Sequence, residues 1–302
     1  MVVAPDGEVI MFRSYEPPGY SDYHGRANSS AGRPESMVKV VSENGVLEGR
    51  IFRSKDHGLT RTEDKARVYV PEEYKVRAGY MYRKIIQTKD GSLMSSMSWR
   101  DGKNRNLAAM RSSDRGKTWH FVAMIAFDFS GRSVSSEGFN ETSLLAMPDG
   151  RIVSFMRSGA SYTASLGSIA EKESDADTLF SYKKQTPLYS SSSVDGGKTW
   201  SHADPIAPFG VWPDAVRLKN GIIAVSYGRP GNWLTFSPDE GKTWAPTVQF
   251  FNDLYPPDCG NYFSIFEVAP DILLVAYART DPNDRWKSDI VGTYFQVKRA
   301  KK

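Results

Sequence analysis

The sequence is poor in cysteine. Cys259 stands alone among 302 residues, which excludes an internal disulfide and agrees with a reducing compartment. No apolar run reaches the length needed to cross a membrane, so no membrane partner is expected. The opening "MVVAPDGEVIMF" lacks the basic, apolar and small-residue regions of a signal peptide, which makes a cytoplasmic location the default expectation. Net charge is only +4 and is spread along the chain. Without a basic block there is no footprint for nucleic acid, and the mild excess suits small acidic ligands. The four histidines, His24, His57, His120 and His202, have no metal-ligand spacing. The acidic runs "ESDAD" (173–177) and "DPND" (281–284) lack the EF-hand pattern, and there is no phosphate-binding loop. No metal and no cofactor are expected, and a monomer is the simplest state.

What is present is repetition. Four octets look alike: "SKDHGLTR" (54–61), "SSDRGKTW" (112–119), "SVDGGKTW" (193–200) and "SPDEGKTW" (237–244). A second repeat pairs two apolar runs across a turn: "VVAPDGEVIMFR" (2–13), "KIIQTKDGSLMSSMSWR" (84–100), "SLLAMPDGRIVSFMR" (143–157), "AVRLKNGIIAVSYGR" (215–229) and "SIFEVAPDILLVAYAR" (264–279). Asp-Gly or Asn-Gly between β-rich runs is a strong hairpin signal. Each unit therefore reads as strand A, hairpin, strand B, loop, strand C, octet, strand D. That is a four-stranded antiparallel blade, and five such units predict an all-β propeller over 1–302.

The octet reads as a structural staple. Ser and Asp side chains brace a tight turn, Gly supplies a positive φ, and Trp buries a large ring. In the first copy Arg61 replaces Trp. Up-and-down topology puts the A–B turns and the octets on one rim, and the starts of A, the ends of B and the long segments 14–36 and 158–187 on the other. The second rim is the better place for a ligand. Every B copy ends in arginine there: Arg13, Arg100, Arg157, Arg229 and Arg279. Such a cluster suits a carboxylate ligand, although each arginine could instead neutralise a neighbouring acid. Strand A starts add Arg83, Glu141, Asp214 and Tyr262.

These features resemble the sialidase (neuraminidase) superfamily, whose Asp boxes the octets match. The resemblance rests on Glu141 at an A start, Arg157 sixteen residues later, Arg229 before an octet and Tyr262 opening a later A strand. It implies a retaining exo-glycosidase that removes a terminal sialic acid. Arginines would clamp the substrate carboxylate, Tyr262 would attack the anomeric carbon with Glu141 as its base, and an aspartic acid would protonate the leaving group. A neutral phenol avoids the repulsion that a carboxylate nucleophile would suffer beside the substrate's own carboxylate.

The family has six blades and five units are visible here, as if an N-terminal blade were absent. "YRKI" (82–85) offers Arg83 as a third clamp residue, but without the proline of the family's Arg-Ile-Pro motif. Arg100 is a further binding candidate. Asp101, with Asp22 as its rival, is the acid/base candidate. Two other readings share the arginine-rich mouth: a hydrolase or lyase for another acidic sugar such as a uronate, and a glycan-binding propeller without catalysis.

Overall fold

The structure is a computed structural model. It describes residues 1–13, 39–40, 46–76, 79–82, 84–101, 104–126, 138–158, 187–228, 231–245, 247–251, 263–281 and 284–299. Among them the regular structure is β-strand throughout, apart from one 3-10 turn at Glu72–Tyr74. The chain divides into two compact units. One comprises Met1–Gly131, Pro148–Ile152 and Ser192–Ser201; the other comprises Arg132–Met147, Val153–Ser191 and His202–Lys302.

The first two copies of the repeat share a ten-stranded sheet. The first supplies β1 (Val2–Val3), β2 (Val9–Arg13), β3 (Lys39–Val40), β4 (Val46–Ser54) and β5 (Thr62–Tyr69). The second supplies β6 (Tyr80–Met81), β7 (Ile86–Gln87), β8 (Leu93–Asp101), β9 (Asn104–Ser112) and β10 (Thr118–Ala126). The strand order is β1-β2-β4-β5-β10-β9-β8-β6, with β3 beside β4 and β7 beside β8. The expectation of separate four-stranded blades needs correcting here. β5 and β10 pair in parallel through Arg67–Thr118, Val68–Trp119 and Tyr69–His120, and the rings of Tyr69 and His120 stack at 4.8 Å.

Two four-stranded sheets follow. One contains β11 (Phe139–Ala146), β12 (Ile152–Ser158), β13 (Leu188–Ser193) and β14 (Asp204–Ala207). The other contains β15 (Val211–Arg217), β16 (Ile223–Gly228), β17 (Asn232–Ser237) and β18 (Val248–Phe251). The last sheet has three strands: β19 (Phe263–Ala269), β20 (Ile272–Asp281) and β21 (Asp284–Gln296).

Hydrophobic alternation explains the packing. β16 is buried along its whole length, because both of its faces are covered. Ile223, Val225 and Tyr227 join Leu145, Val153 and Phe155 in one core, whereas Ala224 joins Leu234, Phe263, Ile265, Leu273 and Val275 in another. A strand sends successive side chains to opposite faces, so one strand serves two cores.

The octets lie between β4 and β5, β9 and β10, β13 and β14, and β17 and β18. All four use the same bonds. In the second, Gly116 N–H donates to Ser112 Oγ at 2.7 Å, while Thr118 N–H and its hydroxyl donate to the two Asp114 oxygens at 2.9 and 2.7 Å. Gly58, Gly197 and Gly241 repeat the first bond at 2.8, 2.8 and 2.7 Å. These bonds hold the octet carboxyls below their ordinary 3.8; Asp56 and Asp239 fall to about 2, with the threonine hydroxyl the largest cause. Two consecutive residues take the left-handed conformation, not the glycine alone: His57, Arg115, Gly196 and Glu240 precede it at φ 59, 61, 74 and 62°.

The octet reaches beyond its own hairpin. Trp119 meets Phe12 of β2 edge-on at 6.0 Å, and Trp244 meets Phe155 of β12 at 5.6 Å. A Cβ at Gly197 would come within 2.7 Å of Met94 in β8. The first three octets are also latched in succession. Arg53, just before the first, donates to the Arg115 carbonyl of the second at 2.6 Å, and Arg111, just before the second, donates to the Gly196 carbonyl of the third at 2.5 Å. Arg61, in the tryptophan position of the first octet, stays on its own hairpin and lies 5.3 Å from the Phe52 ring centre.

Candidate functional site

The best-formed polar cluster at a strand-start edge is centred on Glu141. The residue is third in β11, with φ 31°, a conformation that costs a side-chain-bearing residue energy and tends to gather at functional positions. Arg157, one residue before the end of β12, donates through Nη1 to Glu141 Oε1 at 2.8 Å. Both groups are withdrawn from water, their side chains being 8% and 16% exposed. A shielded ion pair of this kind needs additional hydrogen bonds to offset its desolvation. Trp212 supplies one, its N–H donating to Glu141 Oε2 at 3.1 Å.

A bulge aims that N–H. Val211 pairs with Gly228 and Asp214 with Ser226, so Trp212 and Pro213 stand opposite the single residue Tyr227. Trp212 takes φ 49° there. Bulges of two residues against one redirect a strand locally, and they concentrate beside active sites. The sequence offered a faint signal, Trp-Pro-Asp inside a strand pattern, but gave no reason to assign a role to a main-chain N–H.

One layer further in, Asp214 is 5% exposed. Its Oδ1 accepts from the Ser143 hydroxyl and from Ala215 N–H, both at 3.0 Å, and its Oδ2 accepts from Ile265 N–H at 3.1 Å. Ala215 N–H also donates to Ser143 Oγ at 3.2 Å. The expectation that Asp214 is a ligand-facing group is therefore corrected: its carboxylate is buried among strands β11, β15 and β19. Arg279 is corrected as well. β20 continues past it to Asp281, and its guanidinium pairs with Asp289 of β21 at 3.3 Å on the exposed surface. The charge-neutralising alternative is the one realised at that position.

Arg83, Arg229, Tyr262 and Asp22 lie outside the described residues. Arg229 directly follows Gly228, the last residue of β16, and Tyr262 directly precedes Phe263, the first of β19. Arg13, Arg100 and Asp101 are described in main chain only. Arg13 closes β2 opposite Arg50, whereas Arg100 and Asp101 close β8 opposite Arg105 and Asn104. The structure thus joins Glu141 to Arg157, and adds Trp212 to them. Among the described residues no group of three or more His, Cys, Asp or Glu side chains could hold a metal ion, and no helix is long and apolar enough to cross a membrane.

No family model matches the chain, and no curated protein matches it by sequence. Solved structures do match. A protein of unknown function from Dyadobacter fermentans is 18% identical over 98% of this chain and 75% of its own, with a TM-score of 0.66. The NanB sialidase from Streptococcus pneumoniae is 17% identical over 82% of this chain and 35% of its own, with a TM-score of 0.55. The intramolecular trans-sialidase from Ruminococcus gnavus is 18% identical over 84% of this chain and 52% of its own, with a TM-score of 0.54. This chain therefore spans between about a third and a half of those two enzymes. At such identities the likeness is one of fold: an all-β fold of several sheets, of the kind found in sialidases.

Proposed function

We propose that this chain is a retaining exo-glycosidase of sialidase type that acts on a terminal acidic sugar, its sheets being blades of a propeller. The observation that carries the reading is the Glu141 carboxylate, held between Arg157 and the Trp212 N–H, together with the sequence positions of Arg229, directly after β16, and Tyr262, directly before β19. Among the described residues each Glu141 oxygen accepts one hydrogen bond, and a carboxylate oxygen has a second lone pair. The group can therefore accept a further proton donor while keeping its place.

Tyr262 is the nucleophile in this reading. A phenol with a pKa near 10 needs a base, and Glu141 takes its proton as the Oη–anomeric carbon bond forms and the glycosidic C–O bond breaks. Water then attacks the same carbon and releases the tyrosine, so configuration is retained. Arg157 and Arg229 receive the substrate carboxylate, for which the guanidinium fork is suited. For the leaving-group proton the sequence offers Asp101. An Asp101→Asn variant is expected to lose more activity on natural glycosides than on aryl glycosides, whose phenolate leaves without help. Equal losses on both would remove Asp101 from that role.

Release of 4-methylumbelliferone from its sialic acid conjugate tests the activity, with the glucuronide conjugate measured in parallel. Turnover of the sialoside alone supports the reading, and turnover of the glucuronide alone moves the substrate to a uronate. Binding of free sialic acid without turnover of either would leave a glycan-binding propeller.

A further inference from the structure

We propose that Asp214 is a positioning residue for the Glu141 site: its buried carboxylate ties the inner strands of three consecutive sheets one layer beneath the reacting edge. This deepens the proposed function and rests on it. The geometry runs in two parallel rows. In the lower row Ser143 of β11 and Ile265 of β19 both donate to Asp214 of β15. Two residues nearer the edge lie Glu141 of β11 and Trp212 of β15, joined by their own hydrogen bond, and Phe263 of β19, which Tyr262 precedes in the chain. On β19 residues two apart share a face, whereas on β15 the intervening bulge turns the chain so that the Trp212 N–H meets Glu141; fixing the lower row fixes where that bulge begins and hence the direction of the N–H. The bulge at Trp212 and Pro213 lies between the two rows on β15. Asp214 is its inner anchor and the Glu141–Trp212 bond its outer one.

Burying a carboxylate is expensive, and hydrophobic residues would join three strands at lower cost. A carboxylate offers something an apolar contact does not, namely two fixed acceptors pointing to two different neighbours. Catalysis is sensitive to such placement, since a displacement of about 1 Å can cost on the order of a hundredfold in rate.

Two substitutions separate the two ties. Asp214→Asn keeps one acceptor for Ser143 and Ala215 but sets an amide NH₂ against Ile265 N–H, which releases β19. Ser143→Ala releases β11 and leaves the Ile265 bond intact. The control is Asn220→Ala. Asn220 joins the same two sheets as the Ile265 bond, but at the opposite ends of the strands, through Asp271 Oδ1 at 2.8 Å and the Val297 carbonyl at 2.9 Å. We expect Ser143→Ala and Asp214→Asn each to lower kcat about tenfold or more with KM within about threefold. Asn220→Ala should lose a comparable amount of thermal stability with kcat within about twofold. If kcat falls equally in all three variants at equal loss of Tm, Asp214 is a structural brace and the proposal fails.

A second measurement does not depend on turnover. Amide hydrogen exchange at Trp212, which neither substitution touches directly, should accelerate about tenfold in Ser143→Ala and stay unchanged in Asn220→Ala. Wild-type protein inactive on every acidic sugar, with this exchange pattern intact, would overturn the enzymatic reading and leave the positioning geometry standing. Unchanged exchange in Ser143→Ala would overturn the positioning claim whatever the activity.

Discussion

The two edges of the sheets are built on different principles. At the turn edge each octet is held by the same short-range bonds, Gly N–H to Ser Oγ and Thr N–H to Asp, and arginines beside or within the octets tie neighbouring turns together: Arg53 and Arg111 donate to octet carbonyls, and Arg115 and Arg111 pair with Asp6, Glu8 and Asp90 of the hairpin turns. At the strand-start edge the polar side chains meet each other. Arg157 meets Glu141, Ser143 meets Asp214, and both acids collect main-chain N–H groups from the strand beside their own. The first edge specifies architecture through a motif that can be copied. The second specifies one chemical environment through contacts made once. Damage to the first should therefore lower stability and spare the chemistry, and damage to the second should lower turnover by more than its cost in stability accounts for.

The largest effect expected is on turnover. Glu141→Gln should reduce kcat by about 10²–10⁴-fold, the usual worth of a positioned base, far more than its cost in stability, since the amide oxygen still accepts from Arg157 while the ion pair and the Trp212 bond are lost. Tyr262→Phe should abolish turnover with the melting temperature close to wild type. Loss of folding in both variants would blur the distinction between the edges. Next is Trp119→Ala at the turn edge. Trp119 is fully buried against Phe12, so about 3–5 kcal/mol of unfolding free energy should disappear in denaturant titration, with KM unchanged in whatever protein remains folded.

Acid should also distinguish the edges. The octet carboxyls titrate lower in the folded chain than in the unfolded one, Asp56 and Asp239 at about 2 against 3.8. Their contribution is thus complete above the unfolded value and is lost as pH falls from there towards about 2. A melting temperature that declines between pH 4 and 2, and declines less in an Asp239→Asn variant, is the expected record. A flat profile would show that the octet hydrogen bonds contribute nothing to stability. The smallest effect is a gain. His57 is exposed and holds φ 59°, so His57→Gly should relieve strain by about 1–2 kcal/mol and return part of it as unfolded-chain entropy, for a net rise of about 0.5–1 kcal/mol.

The same contrast explains what could be read from the sequence. A staple written four times announces itself, and the hairpin pairs between the octets gave the order of strands through most of the chain. The parallel join of β5 to β10 was not legible, because pairing between outer strands leaves no periodic mark on either one. The left-handed residue before each octet glycine was visible only in the third copy, where Gly196 occupies it. At the other edge Glu141 and Arg157 could be named because charged residues at strand ends are conspicuous. The direction of Asp214 could not, since a one-residue bulge reverses which face a side chain takes, and Trp-Pro-Asp does not say where the bulge falls. Ser143 carried no signal, because a serine in a strand is ordinary until its partner is known.

The arginine latches have a practical consequence for redesign. Each ends on a main-chain carbonyl, so the accepting octet contributes no side chain to it. The donors are therefore the exchangeable half, and Arg53 and Arg111 can be varied without rewriting the octets that receive them. Diversity placed in 112–119 ought to yield few folded variants, because Ser112, Asp114, Gly116 and Thr118 are bonded to one another.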